Sequence, residues 1–525
     1  MDNSTPTEAT PLRTIKPHPT IIPSPIFDSG ITEAERESGN QDLVDSVLMR
    51  FDAVRRRLLQ INYAKDVVIP ASTICKSQGI KTNTKKRIGQ VPGVQVGDIF
   101  YNWSEMYLVG LHLQTMAGID YLRVENGVVG SPVSTSVVTS GHYNDKTEDV
   151  NSLIYTGHGG KDKNGQPRDQ KLERGNLALV ESNKIGNEVR VIRGKEDPDD
   201  KNKKIYIYDG LYFVSELWKE KGNTGCEEFK FGLMRKQGQP EGFEIWKSAE
   251  NLWKHGLSNS RKGFILEDLS YGKEAIPVTL VNEVDENDKS TPPGFEYVIS
   301  ENNSNPILDC VCVQRNEGKL PYHNSILVCR KPMVYECDFS CKNRVLQSGL
   351  KIQMEVFKTS NCGWGLRSWK PIRAGTFICE FSGVNKKKEE VEEEDDYLFD
   401  SSRIYNRFKW NYESELLGED AWKPVSEVFN LQSQVLISAK DSGNVGRFLN
   451  HSCSPNVFWQ PIKCGINSES HVCIGFFAMK HIPPLTELTY DYGVSSVEKI
   501  GEDKRLFKGK KNCLCGSMKC RGSFG

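Results

Sequence analysis

Thirteen of the fifteen cysteines lie after Leu308, and three of them stand as Cys513-x-Cys515-x4-Cys520. A fourth thiol, Cys453, sits inside the block Asn450-His-Ser-Cys-Ser-Pro-Asn456. A Cys-x-Cys-x4-Cys run plus one distant donor supplies four thiolates, the set that closes a tetrahedral structural zinc site. Such a site brings residues near 453 and residues near 515 to one place, which constrains everything between them. A further block, Glu487-Leu-Thr-Tyr-Asp-Tyr-Gly493, lies inside the loop so closed.

Composition favours zinc over disulfides. No window approaches the roughly 20 apolar residues that span a bilayer. Residues 1–40 are rich in Pro, Ser, Thr and Glu and hold no apolar core of a signal peptide. The expectation is an intracellular protein with reduced thiols. A chain of 525 residues has room for three or four domains. Its formal net charge of -1 speaks neither for nor against nucleic acid, which leaves that question to local patches.

Residues 1–40, with prolines at 6, 11, 17, 19, 23 and 25, read as disordered. Val44, Val47, Leu48, Phe51, Val54, Leu58 and Ile61 then recur at spacings of three and four, which predicts an amphipathic helix bracing one domain against another. Arg50, Arg55, Arg56 and Arg57 lie mostly off its apolar stripe. Lys76, Lys81, Lys85, Lys86 and Arg87 form a basic linker, or alternatively an import signal or phosphate contact. From 88 to 243 the signals turn to strand at 96–101, 189–192 and 203–214, with Asp209-Gly210 read as a tight hairpin turn and 140–174 as a long loop. Residues 244–305 read as a connector, and the lysines and acids of 384–396 as a solvated loop.

Four blocks in the first β region are specific: Val91–Phe100, Gly110–Asp120, Asp169–Leu179 and Tyr208-Asp-Gly210. They resemble the SRA (YDG) domain, a reader of methylated cytosine in DNA. Enclosing a methylated base requires flipping it out of the duplex. The pocket then needs aromatic faces for stacking and a carboxylate to accept from the cytosine amino group. Tyr143, Asp145 and Tyr155 match the family's pocket residues. Met116 falls where some relatives carry a glutamine that fills the vacated stack; a thioether can wedge but cannot hydrogen-bond the orphaned guanine.

The later blocks resemble the SET domain of lysine methyltransferases with its post-SET tail. The fold class expected is multidomain, mostly β with α: an SRA β-barrel-like domain followed by a SET β-fold domain with zinc-bearing flanks. The resemblance implies S-adenosyl-L-methionine and Zn2+ as cofactors. Gly363, Trp364 and Gly365 match the first cofactor motif, and Tyr397, Arg447, Asn450 and His451 match further cofactor contacts. Tyr492 is implied as the principal catalytic residue, its hydroxyl beside the methyl group and the amine. Tyr490 stands where the fold tunes product multiplicity, and a phenol there implies mono- and dimethylation. Cys453, Cys513, Cys515 and Cys520 are implied to hold zinc, clamping the tail of residues 495–525 over the cofactor.

SRA, pre-SET (306–346), SET (347–494) and post-SET in this order resemble the plant Su(var)3-9 homologue family, which methylates lysine 9 of histone H3. The resemblance implies a nuclear, chromatin-associated enzyme whose partners are the H3 tail, methylated DNA and chromatin proteins. Two departures stand out. Family pre-SET segments carry nine cysteines; here there are Cys310, Cys312, Cys329, Cys337 and Cys341. Cys310, Cys312, Cys337 and Cys341 make one tetrahedral site, or the segment is a metal-free remnant. Phe381 stands where many active relatives have a tyrosine lining the lysine pocket. The alternative function is therefore a methyl-DNA reader whose SET domain is a weak or inactive interaction platform.

Overall fold

The structure, a computed structural model, describes residues 41–60, 63–64, 66–123, 131–139, 149–256, 261–299, 334–335, 349–392, 395–403, 405, 414–418, 434–464, 471–494, 511–517 and 519–524. The stripe Val44, Val47, Phe51, Val54 and Leu58 lies on helix α1 (Gln41–Gln60), followed by α2 (Val68–Ser77). All five side chains are buried in a cluster that also holds Phe100, Met106, Leu108 and Leu111 of the first β domain and Leu416 and Leu417 of the last. Arg55 and Arg56, expected on the polar side, are instead buried with Asp52. Asp52 Oδ1 accepts from Arg55 at 2.6 Å, and its Oδ2 lies 2.8 Å from Arg56 Nε. The helix is wedged between two domains, so its polar face has no water to turn to and pairs internally.

The first domain is built on β1 (Ile99–Phe100), α3 (Trp103–Leu108), β2 (Ile119–Arg123), β3 (Pro132–Thr139), β4 (Ser152–Thr156), α4 (Arg174–Ile185), β5 (Val189–Asp197), β6 (Asp200–Lys221) and β7 (Glu227–Arg235). They form one seven-stranded sheet ordered β2-β3-β5-β6-β7-β4, with β1 on β6. β4 lies inside the stretch that the sequence reads as loop. The Asp209-Gly210 hairpin is corrected: both residues lie inside the long strand β6, and the chain reverses between Asp197 and Asp200. Gly210 has φ of +117° beside a break in register at Val191/Ile192, so the turn-like pair makes a β-bulge. Asp209 is buried and accepts from Arg193 Nε and the Tyr212 hydroxyl, both at 2.6 Å. Its carboxylate serves the core rather than a turn.

The stretch 244–305 does more than connect. Helix α5 (Gly242–His255) lies against β6. The strands Phe264–Leu266 and Thr279–Val281 join Met354–Lys358 and Trp364–Ser368 in one four-stranded sheet of the last domain. Glu355, fully buried on that sheet, accepts from Arg261, Arg367 and the Trp369 indole, the last at 2.7 Å. Arg261 on Glu355 and Arg367 on Glu283 (2.6 Å) hold the 261–283 segment to the sheet, because a buried charge left unpaired costs several kcal/mol. A second sheet of Val334–Tyr335, Val457–Cys464, His471–Ala478 and Phe377–Glu380 closes the core around Ile378, Phe381, Ile474 and Phe476.

The two domains meet through charged side chains. His481 Nε2 lies 3.2 Å from Glu105 and the Arg373 guanidinium stands 4.5 Å over the Tyr101 ring, while Lys480 lies 3.6 Å from Asp45 of the intervening α1. Lys370 pairs with Asp199 at 2.7 Å across the same junction.

Candidate active site and base-binding cleft

The two C-terminal sequence blocks are physically one element. Asn450–His451 and Thr489–Tyr490 pair as parallel strands, and Ser452 N donates to Tyr490 O at 3.0 Å. The Asn456 side chain donates to Glu487 O and accepts from Thr489 N, which satisfies the backbone where the strands diverge. Asn450 donates through one nitrogen to Trp364 O (3.1 Å) and Glu487 (2.8 Å), tying the Gly363–Gly365 motif to the same junction. A Cβ on Gly365 would stand 2.8 Å from that Glu487 oxygen, while the corresponding position on Gly363 (φ +76°) faces open space. Glycine at both positions keeps this edge open to a ligand.

Tyr490 and Tyr492 face each other with ring centroids 4.6 Å apart. Tyr490 packs on Phe476 at 4.8 Å; Tyr492 packs on His451 at 5.4 Å. The Tyr492 hydroxyl donates to Leu449 O at 2.6 Å, leaving its oxygen as an acceptor. Burial raises the pKa of both phenols, more than the cationic Arg403 offsets at Tyr490, so both stay protonated at neutral pH. His451 accepts Tyr492 N–H at Nδ1 (3.1 Å), and burial pushes its pKa down to about 4. The imidazole is therefore neutral.

Arg447 stacks its guanidinium 4.1 Å over Tyr397 and 4.0 Å over Phe295, and donates to Ala439 O and Lys440 O. Among the described residues its Nη1 is buried with no hydrogen-bond partner of good geometry, close to the Tyr397 phenol. A desolvated donor costs about 1–3 kcal/mol unless a ligand satisfies it. With the open glycine edge and the aromatic faces of Tyr397 and Tyr492, that donor fits a cationic cofactor carrying polar acceptors. Gly363, Trp364, Gly365, Tyr397, Arg447, Asn450 and His451 are thus placed around one junction beside Tyr490 and Tyr492.

The sulfurs of Cys453, Cys513, Cys515 and Cys520 lie within 4.8 Å of one another, with Cys453 and Cys513 3.6 Å apart. Zn–S bonds of ~2.3 Å put tetrahedral sulfurs roughly 3.8 Å apart, so the cluster fits zinc. Arg521 N donates to Cys453 Sγ at 3.3 Å, and the Arg521 guanidinium grips Asp491 at 2.5 and 3.0 Å. Phe524 lies 4.3 Å from the His451 ring. The tail therefore docks beside both tyrosines. The other proposed thiol ligands, Cys310, Cys312, Cys337 and Cys341, lie outside the described residues, as do Tyr143 and Asp145.

Tyr155 is buried, and its hydroxyl lies 2.7 Å from His158 Nε2. His158 lines an open cleft of about 420 Å³ with Gln114, Ala117, Tyr121, Arg168 and Asn176. Asn176 accepts His158 N–H and donates to His158 O, pinning the loop. Burial pushes the His158 pKa down to about 4, so the ring is neutral. Met116, on the loop that enters the cleft wall, is 91% exposed, as a wedge must be. Sequence reasoning assigned no role to His158, Asn176, Arg403, Tyr405 or Arg521. Asn176 carried a signal, its place in the block Asp169–Leu179, and so did Arg521, a basic residue directly after the proposed ligand Cys520.

A SET domain preceded by an SRA domain defines the class. Residues 87–239 match the SAD/SRA domain family and 363–493 the SET domain family. Among relatives in Arabidopsis thaliana, the H3 lysine-9 specific histone-lysine N-methyltransferase SUVH8 is 60% identical over 96% of this chain and 68% of its own. SUVH7, described in the same words, is 56% identical over 99% and 80%. The crystal structure of Arabidopsis SUVH6 with SAM superposes at TM-score 0.72 with 35% identity, over 92% of this chain and 99% of that one. KRYPTONITE in complex with mCHH DNA, H3(1-15) peptide and SAH superposes at 0.70 with 30% identity over the same shares. The chain belongs to the SUVH family of SRA- and SET-domain histone-lysine methyltransferases.

Proposed function

We propose that the chain transfers methyl groups from S-adenosylmethionine to lysine 9 of histone H3, stopping at one or two, and that methylated cytosine in DNA brings it to nuclear chromatin. The observation that carries this reading is the convergence of the Tyr490–Tyr492 pair and the buried Arg447 donor on one strand junction. The bound cofactor supplies the electrophilic methyl group. The residues do the rest. Arg447, Tyr397 and the glycine edge hold the cofactor. The Tyr492 oxygen, its own proton committed to Leu449 O, accepts from the substrate amine and aims its lone pair. The Tyr490 phenol fills space that further methyl groups need. Arg521 and the zinc-held tail exclude water from the junction.

Recruitment rests on the cleft beside Tyr155 and His158, with Tyr143 and Asp145 as the remaining pocket residues. Chromatin association follows from the histone substrates named for the relatives and from that cleft. Methyl transfer from labelled cofactor to an H3 tail peptide tests the enzyme; a signal no higher than that of Tyr492→Phe would sink it. For DNA, Tyr155→Ala should abolish the preference for methylated over plain duplex, and an unchanged ratio removes the base-pocket assignment. One observation favours the alternative of a reader with a silent SET domain: Phe381, packed 6.1 Å from Phe476 behind Tyr490, brings no hydroxyl to the pocket.

A further inference from the structure

Between Gly157 and Gly160 the chain carries one side chain, that of His158. It stands just past the end of β4, where the blocks Gly110–Asp120 and Asp169–Leu179 meet as walls of the cleft of about 420 Å³. The backbone beneath it is locked from two sides. Asn176 accepts His158 N–H at 2.8 Å and donates to His158 O at 2.9 Å, and the Gln170 amide donates to Gly157 O at 2.7 Å. The imidazole therefore has a fixed place, and there it meets Tyr155. His158 Nε2 and the Tyr155 hydroxyl are 2.7 Å apart, with ring centroids at 6.0 Å and ring planes at 50°. Gly118 lies against both atoms: a Cβ on it would stand 2.9 Å from Nε2 and 3.0 Å from the Tyr155 oxygen. Gly118 belongs to the loop that presents Met116. That loop is closed on itself, with His112 Nε2 bonded to Ala117 O at 2.8 Å and Asp120 accepting Leu113 N–H at 2.9 Å. The Tyr155–His158 hydrogen bond thus lies where the pocket tyrosine, the cleft wall and the Met116 loop touch.

A neutral imidazole has one nitrogen that donates and one that accepts. A phenol is the stronger donor, so the proton of this bond is placed on Tyr155 and Nε2 accepts it. Burial keeps the ring neutral and Nε2 an acceptor. We infer that His158 is a positioning residue for methylcytosine recognition: by accepting the Tyr155 proton it fixes that ring against the Gly118 loop and sets the pocket to the width of a methylated base. The inference rests on the proposed reading of the cleft as a base pocket. Any cytosine can stack on an aromatic face, since every base has a π-face. One methyl group more is felt only by a wall that holds its position, because contacts made by a preorganised wall lose least to ordering on binding. With the hydrogen bond lost, the Tyr155 ring can settle at another tilt. The loss should therefore cost methylated DNA more than plain DNA.

The test is binding of the full chain to methylated and plain duplexes of one sequence at fixed salt, read by fluorescence anisotropy. The proteins are wild type, His158→Leu, His158→Gln, Tyr155→Phe and the double variant Tyr155→Phe/His158→Leu. His158→Leu should lower the ratio of Kd for plain to methylated duplex about fivefold, the worth of one hydrogen bond. His158→Gln, whose amide oxygen accepts the same phenol proton, should keep the wild-type ratio. Tyr155→Phe should match His158→Leu, and the double variant should lose no more than either single. A histidine that only supports the fold would give no rescue by glutamine and additive losses in the double variant. Either of those results, or a wild-type ratio in His158→Leu, overturns the inference while leaving the base-pocket reading intact. If His158→Leu unfolds, Tyr155→Phe decides: it removes the hydroxyl alone, and an unchanged ratio overturns the inference. A wild type that binds both duplexes equally overturns the reading of the cleft and this inference with it.

Discussion

The buried Asp52 group makes a demanding test of how α1 is held. Asp52 is 1% exposed and neutralises Arg55 and Arg56, while Arg373 and His481 of the SET domain add to its field. Burial alone would raise the carboxyl pKa; these cations overcome that and hold it well below the usual carboxylate range. Asp52→Asn keeps the shape and removes the carboxylate charge that the buried Arg55 and Arg56 guanidiniums share. Breaking a buried pair in this way costs about 3–5 kcal/mol. That is a large part of the roughly 5–15 kcal/mol a domain has in hand. In native-state hydrogen exchange the α1 amides should open roughly 10²- to 10⁴-fold more often. Replacing Asp52, Arg55 and Arg56 together with Leu, Leu and Met should cost much less, since no charge is then stranded among the three. The pH dependence has a definite sign. A depressed carboxyl contributes stability that is present above its unfolded pKa near 4 and is lost as pH falls below that value. Wild type should therefore lose α1 protection below about pH 4 and Asp52→Asn should not lose more. A single-variant effect under about 1 kcal/mol, or a triple variant as costly as the single, would refute the argument.

Chelation of the thiolate cluster should abolish methyl transfer while far-UV circular dichroism is retained, and should strip exchange protection from the Cys513 and Gly522 amides bonded within the tail; full activity of a metal-free preparation would contradict it. Arg447→Met should weaken cofactor binding roughly 10- to 150-fold by calorimetry, the equivalent of one charged hydrogen bond. Arg447→Lys should not restore it, because a single ammonium cannot reproduce the fork to Ala439 O and Lys440 O. His158, pushed down to about 4 by burial, makes the folded SRA domain resist protonation that the unfolded chain accepts near pH 6.5. SRA stability should be level above pH 6.5 and fall as pH drops from there toward 4. His112, also pushed down to about 4 by burial, adds to the same slope, so His158→Gln should lessen it by roughly half in urea titrations, and an unchanged slope removes His158 as a source.

What was legible in the sequence was contiguous. Short blocks whose residues meet at one junction, such as Asn450–Asn456 and Gly363–Gly365, state their chemistry locally. What failed were residues defined by distant partners. Apolar periodicity drew the stripe of α1 but could not say that Asp52 would bury Arg55 and Arg56, because that depends on two domains closing over the helix. Asp209-Gly210 has turn chemistry, yet Arg193 and Tyr212 claim the carboxylate and the glycine makes a bulge instead. The 261–283 stretch carries too little pattern to read as strand; it joins the SET sheet because Arg261 binds Glu355 and Glu283 binds Arg367. The same logic explains how two chemistries share one chain. His481 meets Glu105 of the SRA domain, Ile482 bridges Ile372, Glu487 holds Asn450, and Tyr490 and Tyr492 follow. One continuous segment thus carries the domain junction at its start and the proposed catalytic pair at its end. A change at Glu105 or His481 therefore acts on the strand that positions Tyr490, although neither residue touches either ligand.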